Sequence, residues 1–282
     1  MNAIEIKGLS KSYQGFSLQG LDLELPMGCV LGLVGENGAG KSTTIRLIMD
    51  ATDREGGQVK VLGVDNKSKE FQHIKDEIGV VLDETCVPEF ITAKQMGKIM
   101  ADTYRSWDQS AYDGWLERFG LPQDKKFKEY SRGMTMKLGI AVALSHGARL
   151  LLLDEATSGL DPMVREELLE VFADFAAQED HAVLLSSHIV SDLEKICDYI
   201  AFLHKGKLLL CEEKDVLLDR YGLLKCSRSE LESVDPAAIH GKRVGEYGVE
   251  ALVEREKAPH NLLVERAALE DIILYLVKEE KK

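Results

Sequence analysis

The chain has 282 residues, 45% of them hydrophobic, and its 48 acidic against 35 basic side chains leave a formal charge of −13. That length can bury one sizeable core plus a smaller appendage, and the acidic balance disfavours a nucleic-acid backbone as principal partner. Cys29, Cys86, Cys197, Cys211 and Cys226 are scattered and form no C-x-x-C pair, which matches neither a disulfide framework nor a zinc spacing and points to thiols in a reducing cytosol.

The N-terminal MNAIEIKGLSKSY carries charges where a secretory leader needs an apolar run. No later stretch reaches the roughly 18 to 20 apolar residues that span a bilayer, so the expectation is a soluble chain that can still dock onto a membrane protein. LDLELPMG (21–28) alternates like a half-exposed strand, whereas CVLGLVG (29–35) is continuously apolar, as in a strand buried on both faces. This run leads into glycines and then a helix, STTIRLIM. RLLLLDEA (149–156) and HAVLLSSH (181–188) repeat the buried-strand pattern after helical segments, so an α/β class with a largely parallel sheet is predicted. Between about 84 and 148 the pattern turns to helices with polar faces and holds both tryptophans, Trp107 and Trp115, as a helical insertion would. Beyond about 220, short strand-like pieces broken by Gly and Pro lead to a closing helix, ALEDIILYLVKE (268–279), and a charged KEEKK tail.

The strongest chemical signal is GENGAGKST: Gly35, Glu36, Asn37, Gly38, Ala39, Gly40, Lys41, Ser42 and Thr43. It satisfies G-x-x-x-x-G-K-[ST] and sits where that pattern must, after a buried strand and opening a helix. Gly38 and Gly40 let the backbone curl so that successive N–H groups face phosphate oxygens, and the helix N-terminus adds its positive end. Lys41 would reach the β and γ phosphates, and Ser42 would offer its hydroxyl to Mg²⁺. LLLLDE places Asp154 and Glu155 at the carboxyl edge of the sheet, where such sheets bind ligands. Asp154 would orient the metal, and Glu155 would polarise the attacking water. His188 ends a third strand and would contact the γ-phosphate; a structural histidine is the plain alternative.

YSRGM opens another amphipathic helix at Ser131 and Gly133, a shape that also receives an anion, although the phosphate loop already has its own helix. The economical solution is a head-to-tail dimer, in which each chain offers this helix to the nucleotide held by the other.

In this order the motifs resemble those of the ATP-binding subunits of ABC transporters, across essentially the whole chain. The resemblance implies a P-loop ABC-ATPase fold with a mostly parallel core sheet, an antiparallel N-terminal β part, a helical subdomain and a small C-terminal accessory domain. It assigns 1–83 and 149–220 to the ATPase core, 84–148 to the helical signature subdomain facing the permease, and 221–282 to the accessory domain. GENGAGKS resembles the Walker A loop, LLLLDE the Walker B motif with Glu155 as catalytic base, YSRGM the signature, SGLD the D-loop with Asp161 at the dimer interface, and His188 the switch histidine. Tyr13 matches the aromatic that stacks on adenine; a core or surface tyrosine is the alternative. ATP and Mg²⁺ are the implied ligands. The implied partners are a second ATPase subunit, identical or homologous, and integral membrane permease subunits, with no nucleic acid, at the cytoplasmic face of the cell membrane. Within the family, YSRGM, VVLDE, RSWD and SSHIVSDLEKICDYI look most like ATPases of bacterial bacitracin, lantibiotic and phenol-soluble-modulin exporters.

Three motifs depart from the family pattern. Tyr130, Arg132 and Met134 replace three residues of the usual LSGGQ, while Ser131 and Gly133 remain. Arg132 would add a cation to the neighbour's γ-phosphate or pair with an interface acid. Ala156 stands where proline is common, and Asp83 stands where a metal-contacting glutamine is expected, so Asp83 joins Ser42 and Asp154 as a candidate metal ligand. The competing functions are a soluble ABC ATPase acting on nucleic acid or ribosomes, an importer ATPase, and a regulatory module without turnover.

Overall fold

Val30–Val34 is apolar throughout because it lies in the interior of a six-stranded sheet with a parallel partner on each edge. The computed structural model describes residues 1–83, 88–245, 248–259 and 262–279, and they fall into two compact units, Met1–Cys211 and Glu212–Lys282.

The first unit begins with an antiparallel sheet. Its strands are β1 (Asn2–Tyr13), β2 (Phe16–Pro26), β4 (Gly56–Val61) and β5 (Val64–Asp65), in the order β2-β1-β4-β5. Along β2, Leu21, Leu23 and Leu25 are buried while Asp22 and Glu24 face solvent, which is the alternation legible in LDLELP. The second sheet contains β3 (Val30–Val34), β6 (Ile78–Val81), β7 (Leu150–Asp154), β8 (Ala182–Ser187), β9 (Tyr199–His204) and β10 (Lys207–Glu213), in the order β10-β9-β3-β8-β7-β6. β3 pairs in parallel with β8 and β9, and β7 pairs in parallel with β6 and β8. Lys205 and Gly206, both with positive φ, turn β9 into β10. The two sheets share one hydrophobic cluster: Ile4, Ile6, Leu21 and Leu23 from the first meet Leu31, Leu33, Leu150, Leu152 and Leu184 from the second. Each fully buried leucine of this kind contributes about 1.5 to 3 kcal/mol.

Helices fill the connections. In the first unit they are α1 (Lys41–Ile48), α2 (Phe71–Ile74), α3 (Ala93–Thr103), α4 (Gln109–Arg118), α5 (Arg132–Leu144), α6 (Pro162–Ala176) and α7 (Val190–Ile196). Several starts were written in the sequence as polar caps. Thr92 and Gln95 form a capping box on α3, the Asp108 carboxylate accepts from Ala111 N on α4, and Ser131 Oγ accepts from Met134 N on α5. The Tyr112 hydroxyl donates to Ala93 O at 3.0 Å and ties α4 to α3. α5 lies against β6, an approach that needs Gly79, where a Cβ would stand 2.6 Å from Leu151 Cδ2 and 3.0 Å from the Ala143 methyl. The opening residues of the expected helical insertion, 84–87, with Cys86 among them, lie outside the described residues.

The second unit has a four-stranded antiparallel sheet, β12-β13-β11-β14, made of β11 (Tyr221–Cys226), β12 (Ile239–Val244), β13 (Val249–Glu254) and β14 (Val264–Arg266). Its helices are α8 (Lys214–Arg220), α9 (Arg228–Leu231) and α10 (Leu269–Glu279). The Tyr275 hydroxyl donates to Glu250 Oε1 at 2.7 Å and fastens α10 to β13. This unit starts at Glu212, earlier than the 221 read from the sequence. α8 packs on β11, and Arg220 pairs with Glu212 at 2.8 Å, so the helix goes with the strand that follows it. Among the described residues, no helix is long and apolar enough to cross a membrane.

Candidate active site

The parallel register decides which residues meet. Val34 is level with Ser187, Asp154 with Ser186, and Val81 with Leu153. The segments leaving β3, β7, β8 and β6 therefore emerge at one carboxyl edge, carrying the phosphate loop, Glu155, His188 and Asp83.

The glycine loop is constrained from several sides. Gly38 and Gly40 have φ of +82° and +115°, in the left-handed half of the map where only glycine is unstrained. A Cβ on Gly35 would lie 2.4 Å from Leu203 O, and one on Gly40 would lie 2.8 Å from Phe16 Cζ. Ala39 is buried and accepts from Gly206 N at 3.0 Å, while Glu36 and Asn37 stay exposed at the rim. Behind the loop α1 begins at Lys41, with Thr44 Oγ1 donating to Gly40 O at 3.0 Å. A cleft of about 420 Å³ opens in front, lined by Phe16, Asn37, Gly38, Gly40, Lys41, Ser42, Thr43, Asp83 and Glu155.

Inside that cleft Lys41 is only 5% exposed. Its ammonium donates to Gly35 O at 2.7 Å and Glu36 O at 3.3 Å, and stands 3.1 Å from Glu155 Oε1. Glu155 Oε2 is 2.7 Å from His188 Nδ1. Glu155 itself has φ of +52°, a strained conformation for a side chain with a Cβ. Its backbone N–H is held by Ser186 O and Ser186 Oγ, both at 3.1 Å. The same Ser186 hydroxyl donates to Asp154 Oδ1 at 2.6 Å. One buried serine thus orients both acids. Strain at the residue beside the cleft, over-determined by its neighbours, is a recurrent feature of reacting groups.

The phosphate-facing chemistry fits a nucleoside triphosphate with its metal. The cradle is one that a Cβ would obstruct, its cation and helix N-terminus suit phosphate, and Ser42 and Asp154 carry hard oxygen atoms of the kind Mg²⁺ prefers, while Asp83 Oδ1 is engaged by Arg132. Tyr13 stands beside the cleft and does not line it. It is 46% exposed, its ring centroid is 6.5 Å from that of Phe16, and Lys11 lies over its face.

Ser131, Gly133 and Asp161 lie elsewhere, in a recess of about 280 Å³ that also contains Arg132, Lys137, Gly159 and Val164. Asp161 caps α6 by accepting from Val164 N at 3.1 Å, and Pro162 follows at the first helical position. Among the described residues, the recess and the cleft share no lining residue. Arg132 donates to Asp83 Oδ1 of its own chain at 2.6 Å, an acid that sequence reasoning did not pair with it. Sequence reasoning also passed over Phe16, Thr44 and Ser186. Their signals were present: an aromatic directly after the Gln14-Gly15 turn, and hydroxyls inside otherwise buried elements, where a polar atom must find a partner. A wider hollow of about 540 Å³ in the second unit is lined by Lys225, Cys226, Arg243, Gly245, Gly248 and Glu250.

Comparisons with known proteins agree with this geometry. The ABC transporter family profile matches residues 18–158. The bacitracin transport ATP-binding protein BcrA of Bacillus licheniformis is 35% identical over 212 residues, covering 73% of this chain and 68% of that protein. The lantibiotic transport ATP-binding protein SrtF of Streptococcus pyogenes is 33% identical over 215 residues, covering 75% of this chain and 91% of its own. Among solved structures, an ATP-binding subunit of an ABC transporter superposes with a TM-score of 0.69 at 26% identity, over 76% of this chain and 91% of that one.

Proposed function

This chain belongs to the ABC transporter family of ATP-hydrolysing subunits, and from that premise we propose that it is one of two such subunits that close head to tail around ATP and drive an exporter permease. The observation that carries the reading is the separation of two half-sites in one chain. Lys41 and Glu155 line the cleft, with His188 bonded to Glu155 and Asp154 just before it in the chain, whereas Ser131, Gly133 and Asp161 line a recess that, among the described residues, shares none with it. A chain with a loop for phosphate and a second anion-receiving helix elsewhere completes both sites when two copies face each other.

In this proposal the amides around Gly38 and Gly40 cradle phosphate oxygens, and Lys41 turns from Glu155 toward them. Thr43 and Ser42 lie at the same helix start, and Ser42 and Asp154 would hold the metal, Asp83 being engaged by Arg132. A magnesium ion held there would supply positive charge to offset the negative charge of the phosphates. Glu155 accepts a proton from water as it attacks, and His188, within hydrogen-bond reach of Glu155, holds the carboxylate in place and contacts the γ-phosphate. Phe16 and the neighbouring Tyr13 offer ring faces for the adenine. Similarity to proteins named for bacitracin and lantibiotic transport supports a peptide-like or antimicrobial cargo and a station at the cytoplasmic face of the membrane.

The test is purification of the tagged chain from native membranes, identification of what remains bound, and measurement of phosphate release by the complex. An integral membrane protein that stimulates turnover is the expected companion. Ribosomes or nucleic acid in its place would overturn the reading in favour of a soluble ABC ATPase.

A further inference from the structure

Asp83 and Arg132 belong to different hollows. Asp83 lines the phosphate-loop cleft with Lys41, Ser42 and Glu155. Arg132, the first residue of α5, lines the recess with Ser131, Gly133 and Asp161. One ion pair spans the two, Arg132 Nη2 donating to Asp83 Oδ1 at 2.6 Å. The loop before α6 lies against it: a Cβ on Gly159 would be in van der Waals contact with the guanidinium carbon at 3.4 Å, and the φ of +68° there would strain any side chain.

The two side chains are 53% and 47% exposed, too open for their attraction to matter much to the fold. The position of the charge has more consequence. An isolated carboxylate in the wall of a cleft suited to triphosphate is a like charge facing its ligand. A guanidinium bonded to it cancels much of that field and holds the carboxylate in one orientation.

We propose that Arg132, acting through Asp83, is a positioning residue and counter-ion for its own chain's phosphate-loop cleft, so that the two hollows of a single chain are electrostatically coupled. The inference rests on the cleft being the ATP site. Linkage makes the coupling reciprocal: if Arg132 improves triphosphate binding, triphosphate binding alters the hold on Arg132, and with it the start of α5 that a partner would meet.

The test measures equilibrium binding of ATP with Mg²⁺ to the full chain, at dilutions where sedimentation shows a single chain. Arg132→Gln is expected to weaken binding about two- to fivefold, with the loss shrinking as salt is raised, and Arg132→Lys is expected to recover most of it. In an Asp83→Asn background, Arg132→Gln should cost nothing further, because the charge it neutralised is gone. Binding by Arg132→Gln equal to wild type, or an equal loss with and without Asp83, overturns the coupling. A general folding defect would give the second pattern and is read separately from thermal unfolding. Lys41→Ala separates this inference from its premise. Undiminished ATP binding by Lys41→Ala sinks the assignment of the cleft, whereas loss of binding by Lys41→Ala beside unaffected Arg132 variants sinks only the coupling.

Discussion

Replacing Glu155 with glutamine separates the charge of this residue from its shape. The carboxylate is 11% exposed, with Oε1 3.1 Å from Lys41 Nζ and Oε2 2.7 Å from His188 Nδ1. The amide retains the outline and one acceptor but neither the charge nor the basicity. At an effective dielectric near 20, unit charges at the Lys41–Glu155 separation attract by about 5 kcal/mol. Desolvation of two groups this buried offsets most of that, leaving on the order of 1 kcal/mol net. Lys41 must leave Glu155 to meet phosphate, so losing this attraction favours the ligand. ATP binding by Glu155→Gln is expected to range from unchanged to about tenfold tighter, since 1.4 kcal/mol is one decade. Turnover goes the other way. A general base contributes about 10²- to 10⁴-fold, so the barrier should rise by about 3 to 5 kcal/mol. The two quantities are read separately, binding by titration with a fluorescent ATP analogue and turnover by phosphate release from the reconstituted transporter. With hydrolysis blocked, ATP should also accumulate at the interface and hold a stable dimer, visible by sedimentation. Turnover within threefold of wild type, or weaker ATP binding in a well-folded variant, would refute the assignment of Glu155 as the base whose charge Lys41 balances.

Two further outcomes follow from other parts of the molecule. Mixing a Lys41→Ala chain with a Gly133→Arg chain should restore one composite site per mixed dimer, whereas each variant alone has two damaged sites; a cross-link that captures ATP between the phosphate loop and signature of the same chain contradicts the arrangement. Tyr112→Phe removes the bond to Ala93 O and should cost about 1 kcal/mol in urea unfolding. Burial pushes the Tyr112 phenol well above its ordinary 10.0, so the folded chain favours the neutral form. That contribution is fully present below about pH 10 and is lost as pH rises further, because the unfolded chain ionises first. The stability of Tyr112→Phe should therefore fall less steeply above pH 10 than that of wild type; identical slopes would show that the hydroxyl does not titrate with unfolding.

Much of the architecture is legible along the chain because it depends on short-range patterns. Apolar runs such as VLGLV and LLLLD, short and bounded by turn residues, suit strands covered on both faces, the GENGAGKST spacing belongs to a loop that must turn through left-handed glycines, and Ser131 and Asp161 declare helix starts by offering an oxygen to a backbone N–H three residues on. The nine-residue difference at the unit boundary shows the limit of such reading, since α8 follows a strand in one unit but packs on a strand of the other, and only packing reveals that choice. The sequence names Glu155 and His188 as candidates, but the parallel order of β3, β8 and β7 brings them within 2.7 Å. Ser186, which orients Asp154 and Glu155 together, is one of two adjacent serines in a buried strand, and nothing in the chain order says which acid it faces. Arg132 is the clearest case. By sequence it had two equivalent fates, a phosphate or an acid, and 49 positions separate it from the carboxylate it meets. Local propensity acts over a turn of helix or a few residues of strand, whereas that pairing depends on α5 lying against β6 and the chain leaving β6 toward the phosphate loop. Those are properties of the assembled sheet, and only the tertiary structure decides them.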